Sequence, residues 1–157
     1  MKAQDLVKKI NELYVKNRNI QFKCFYLDGN VFDKEFMLSS IEGLQSAAAS
    51  QGYKGLQITG SALWLLEHTP VISEFMKYEA SVNKILQNCG IIALCQYDES
   101  KFDARILIDV LRTHPTVYLH DHMLTNKYFT PSEGFTPFAD IHANADMYKQ
   151  MINSISA

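Results

Sequence analysis

Apolar residues recur at steps of three and four along five stretches of the chain. Between them lie four short runs rich in apolar and aromatic residues. That alternation predicts helices between strands. Residues 2–16 read as an amphipathic helix, with Leu6, Val7, Ile10, Leu13 and Tyr14 on one face and lysines opposite. Residues 21–27 read as a strand closed by the turn Asp28-Gly29-Asn30. Asp33 can cap a helix running to Ser50, with Met37, Ile41, Leu44 and Ala48 on one face and Gly52 ending it. Residues 54–59 form a second strand before Gly60-Ser61. A short apolar piece, residues 62–66, surrounds Trp64.

Thr69-Pro70 is a helix start, a capping threonine followed by proline. Val71, Phe75, Tyr78, Val82 and Ile85 carry the stripe onward until Asn88-Cys89-Gly90 stops it. Residues 91–97 are nearly all apolar, as in a strand covered on both faces. Ser100-Lys101-Phe102-Asp103 resembles a capping box for a helix to Arg112, which Pro115 blocks. Residues 116–119 make a fourth strand. Thr130-Pro131-Ser132-Glu133 is a second capping box, for a single turn. Thr136-Pro137 opens a C-terminal helix, about residues 137–155, bearing Ile141, Met147, Tyr148, Met151 and Ile152. The expected fold is α/β: one domain over residues 1–157, with a mainly parallel sheet of about four strands flanked by helices.

Composition narrows the class. The 157 residues are 47% hydrophobic and 20% charged, which excludes a disordered tail, a collagen-like repeat and a disulfide-stapled miniprotein. A formal charge of -2 supplies no field to draw in nucleic acid or anionic lipid, so neither is an expected direct partner. Cys24, Cys89 and Cys95 are odd in number and form no C-x-x-C pair, which suits a reducing interior. The N-terminus shows no signal-peptide core, and the longest apolar stretch, residues 91–95, is too short to cross a bilayer. A cytoplasmic location is expected.

Ligands in open α/β sheets bind beyond the carboxyl ends of the strands. Here those ends are Asp28-Gly29, Gly60-Ser61, Tyr97-Asp98 and His120-Asp121, polar or small in each case. An apolar strand ending in Asp98 looks like a magnesium-holding strand, but the chain has no G-x-x-x-x-G-K-[ST] loop, so a turn or capping role competes. His120-Asp121-His122 would bring two imidazoles to one face of a strand, short of the ligands a zinc site needs. Cys95 with His114 superficially resembles a thiol nucleophile and its base; a mid-strand cysteine is more often an inert core group. Trp64, Phe75 and Tyr78 can line a pocket or simply fill the core.

Two blocks carry a family resemblance: Ala93-Leu94-Cys95-Gln96-Tyr97-Asp98, then Asp109-Val110-Leu111-Arg112-Thr113-His114-Pro115. With Tyr78-Glu79-Ala80, Gly52-Tyr53-Lys54-Gly55-Leu56 through Trp64, Asp28-Gly29 and Phe32-Asp33, they resemble the MEDS family, the methanogen and methylotroph sensory domains. The resemblance spans about residues 25–131. It implies a small-molecule sensing module of RecA-like or KaiC-like fold, in a family with members linked to halogenated or methylated compounds. Members stand alone or are fused to DNA-binding or kinase domains. Gln57 and Ser61 stand where the family usually has an arginine and an acidic residue. The resemblance also places a further strand and helix, with the RecA-like phosphate loop, ahead of Met1.

Together these readings predict a cytosolic sensory domain that binds a small organic ligand, such as a hydrocarbon derivative, and is not an enzyme. The expected ligand-binding residues are Trp64, Tyr97, Asp98, Arg112 and His114. Trp64 and Tyr97 serve as apolar or stacking walls, and Arg112 and His114 as anion contacts or locks beneath the site; equally, Arg112 can pair with helix-end carbonyls and His114 can simply cap the turn before Pro115. No catalytic residue, metal or cofactor is expected. Expected partners are the ligand, a second copy of the chain, and a regulatory kinase or transcription factor. Two rivals stay open: a ligand-free interaction or oligomerisation module built on the terminal helices, and a degenerate nucleotide-binding enzyme.

Overall fold

A computed structural model describes residues 31–87, 90–139 and 142–157. The expected first helix, the first strand with its Asp28-Gly29 tip, Cys24, Cys89 and Ile141 lie outside these residues.

Helix α1, Lys34–Ser50, begins where the sequence places it: Asp33 Oδ1 accepts the Phe36 N–H at 2.8 Å. It buries Met37 and Ile41, whereas Leu44 is exposed. Gly52, at φ +83°, ends it, and the Tyr53 N–H turns back to Ala48 O at 3.1 Å.

Strand β1, Leu56–Ser61, pairs in parallel with β2, Ile91–Gln96, in the register Leu56↔Ile91 through Ser61↔Gln96. The pair starts at a close backbone approach of Gly55 and Gly90, where a Cβ on Gly90 would lie 2.7 Å from Lys54 O. Two short 3-10 turns, Leu63–Glu67 and Thr69–Val71, lead from β1 into helix α2, Ile72–Leu86. Pro70 falls in the second turn, but His68 and not Thr69 is its cap, and no side chain caps it. The buried face of α2 is Ile72, Phe75, Met76, Tyr78, Glu79 and Ala80. This crossover, from β1 through α2 to the parallel β2, is the βαβ unit that the alternation predicted.

Helix α3, Ala104–Thr113, starts later than a box at Ser100 would give. Asp103 is its cap, accepting the Arg105 N–H at 2.8 Å, while Ser100 closes a turn on Asp98. The fourth strand needs correcting. Strand β3, Thr116–Leu119, does not join the parallel pair; it forms an antiparallel hairpin with β4, His122–Thr125. His120 and Asp121 supply the two-residue turn, both at positive φ, 47° and 65°, as such hairpins require. The described strands therefore make two two-stranded sheets in place of one four-stranded sheet.

The C-terminal helix is also shorter than the sequence suggests. Helix α4 spans Ala145–Ser156 and is capped by Asn144 Oδ1 on the Met147 N–H at 3.0 Å. Upstream, Phe138 adopts φ 53°, which no helix tolerates, and its N–H donates to the buried Asp109 Oδ2 at 2.6 Å.

Two apolar cores result. One gathers α1, the parallel pair, α2, Leu107 of α3 and Phe102 just ahead of that helix. The other joins Ile108 and Leu111 of α3 to Met151 and Ile155 of α4, against the hairpin. No helix among the described residues is long and apolar enough to cross a membrane.

Candidate functional site

A hollow lies between the parallel pair and the α2 face. Ile58 and Gly60 of β1, Ala93 and Cys95 of β2, and Phe75 and Glu79 of α2 line it, and Tyr97 closes the β2 end. Its volume is about 40 Å³, room for a guest of a few heavy atoms. The walls are mainly apolar, with the ionisable groups gathered at one place.

Glu79 sits on the stripe of α2, one helical turn beyond Phe75, and is therefore carried inward with the apolar residues. Its side chain is 6% exposed. Cys95 approaches it from near the carboxyl end of β2, Sγ 4.0 Å from Glu79 Oε1. His114, which caps the end of α3, sets Nε2 3.2 Å from Glu79 Oε2. The other ring nitrogen, Nδ1, lies 2.7 Å from Val110 O, with Thr113 Oγ1 at 3.0 Å. Asn83 Nδ2 donates to Thr113 O at 2.7 Å and ties α2 to the same helix end.

Both nitrogens of His114 face acceptors, so the imidazolium fits the site. Burial works against that charge, but the Glu79 carboxylate and the Val110 carbonyl outweigh it and hold the His114 pKa above the ordinary histidine value. Burial and then the Glu79 carboxylate push the Cys95 thiol well up. Cys95 therefore keeps its proton at neutral pH, opposite to what a thiolate nucleophile needs.

The structure brings only part of the expected site together. Tyr97 lines the hollow, and its ring stands 6.0 Å from that of His114, edge to face. Trp64 packs instead in an aromatic cluster, 5.3 Å from Phe75 and 6.3 Å from Phe32. Asp98 is exposed and takes the Ser100 N–H and O–H at 2.9 and 2.7 Å, which hold its carboxyl below the usual range. Arg112 donates to Asp109 Oδ1 at 2.7 Å and Thr136 O at 3.1 Å, beneath the Phe135 ring. It fastens the loop after the hairpin to α3. His120 lies in the hairpin turn and His122 opens β4, so the two do not share one strand face. Of the expected strand ends, Gly60-Ser61 and Tyr97 reach the hollow.

Glu79 was not singled out by sequence reasoning as a site residue. The available signal was a carboxylate on the apolar stripe of α2, a position that demands a partner once buried.

Comparison with known proteins agrees with the resemblance. The model of the methanogen/methylotroph, DcmR sensory domain, MEDS, matches residues 4–115. The chain is 31% identical over 87 residues to the transcriptional repressor DcmR of Methylorubrum extorquens. That match covers 55% of this chain and 33% of the repressor, so the chain spans about a third of that relative's length. No solved structure matches it, and two parallel strands do not by themselves carry a RecA-like architecture. With its family model spanning most of the chain, from residue 4 to the Pro115 that follows His114, this protein belongs to the MEDS family of sensory domains.

Proposed function

We propose that the domain senses a compact organic molecule, such as a halogenated or methylated hydrocarbon derivative, in the hollow between the parallel pair and α2. One observation carries this reading: an apolar hollow is joined at one place to the polar group of Glu79, Cys95 and His114. Apolar walls favour a small organic guest, and the polar end orients it. The domain works by binding and not by turnover in this reading; a thiol held protonated by burial and by Glu79 fits a wall of the hollow better than a nucleophile. Output passes to a regulatory kinase or transcription factor; the similarity to a transcriptional repressor supports such a partner. The guest signals by favouring one arrangement of α2 against α3, or of two copies of the chain.

Thermal unfolding against a panel of short halogenated and methylated organics tests the proposal. A guest should raise the melting temperature in proportion to the logarithm of its concentration. Ala93→Phe, which fills the hollow, should abolish that rise while the variant still melts cooperatively. No rise with any guest, beside a stable oligomer in sedimentation, overturns the reading in favour of an interaction module.

A further inference from the structure

We propose that Glu79, Cys95 and His114 form a binding site for one divalent transition-metal ion, zinc being the best match, with its fourth position open to the hollow. One donor atom from each residue lies within 4.8 Å of the other two. Bonds of about 2.0–2.3 Å place tetrahedral zinc ligands about 3.3–3.8 Å from one another. The 3.2 Å from His114 Nε2 is to Glu79 Oε2 and the 4.0 Å from Cys95 Sγ is to Oε1, so the three donors must draw in from within 4.8 Å of one another, by about 1 Å at the widest pair, to close on one ion.

Two further features favour the ion. The donors come from α2, β2 and the cap of α3, so secondary structure holds each one independently. The Nδ1–H of His114 is spent on Val110 O at 2.7 Å, which leaves Nε2 as the ligating nitrogen. A backbone carbonyl in that place is the usual outer support of a metal-bound histidine. An ion that binds displaces the Cys95 S–H proton, and any proton on His114 Nε2, to solvent.

Sulfur, imidazole and a single carboxylate select zinc or cobalt over magnesium or calcium, which prefer all-oxygen shells. Glu79 and Cys95 both line the hollow, so the unfilled coordination direction opens there. A guest bearing a soft or anionic donor would complete the shell; that last step rests on the proposed function, whereas the ion itself does not.

The test uses the full chain, stripped with a chelator and titrated with cobalt(II) without any organic guest. One equivalent should bring a thiolate-to-cobalt charge-transfer band and the visible bands of a tetrahedral ion, and zinc should displace both. Affinity should fall as pH falls, since two protons compete. Cys95→Ser should remove the charge-transfer band, while Cys24→Ser with Cys89→Ser keeps it. His114→Gln should weaken zinc binding about tenfold or more, with circular dichroism confirming a folded chain. Absence of the bands, or their survival in Cys95→Ser, overturns the site. Metal binding without any response to organic guests keeps this proposal and sinks the previous one.

Discussion

His114 Nε2 stands 3.2 Å from Glu79 Oε2, a contact that, beside the Asn83 bond to Thr113 O, joins the middle of α2 to the end of α3. The residues are far apart in sequence and meet because the end of α3 packs against α2. Folding therefore raises the affinity of this imidazole for its proton. A group whose pKa is higher folded than unfolded stabilises most below the unfolded value and loses that effect as pH rises through the folded one. With chelator present, the urea midpoint should fall as pH rises from about 6.5 through the raised His114 pKa. Glu79→Gln should flatten that slope; an unchanged slope would show that other groups set it.

Asn126 is 4% exposed and serves as a junction below α3. Its Nδ2 donates to Leu111 O at 2.6 Å and His114 O at 2.8 Å, while Oδ1 accepts the Tyr128 N–H at 2.9 Å. Asn126→Ala leaves these buried groups without their partner and should cost about 1–3 kcal/mol, read from chemical denaturation.

Gly90→Ala sets a methyl group against backbone, not against a side chain able to swing away. The β1–β2 pair must part at its first rung, where Leu56 N–H meets Gly90 O at 2.9 Å. A loss of about 1–3 kcal/mol is expected, with a matching fall in melting temperature.

Trp64→Ala separates core from wall. Trp64 packs on Phe75 and Phe32 and is absent from the lining of the hollow. The variant should lose about 3 kcal/mol of stability yet keep the full guest-induced shift. Loss of the shift, with stability little changed, would put the indole in contact with the guest.

Much of the framework was legible because it is local. Asp33 caps by reaching three residues ahead, and the stripes of α1 and α2 follow the helical repeat, whereas Asp103, expected as the last residue of a box at Ser100, is itself the cap of α3. The hairpin was hidden because His120-Asp121 lacks the usual asparagine-glycine signature, although both residue types tolerate positive φ. The start of α4 was misplaced because Phe138 is held by Asp109, 29 residues away, a contact no local pattern announces. The candidate site was half legible for the same reason: Tyr97 and His114 lie within the recognised blocks, but their meeting with Glu79 depends on how α2 crosses the sheet.

Helix α3 has ten residues and no face to spare. Leu107 belongs to the core around the parallel pair, whereas Ile108 and Leu111 belong to the core beneath α4. It works as a party wall between two rooms. Melting either side strips that wall of half its apolar cover, and a helix so short does not stand alone in water. The N-terminal and C-terminal halves of the described fold thus share one fate on denaturation, so truncating the chain after the hairpin would unsettle the hollow as well.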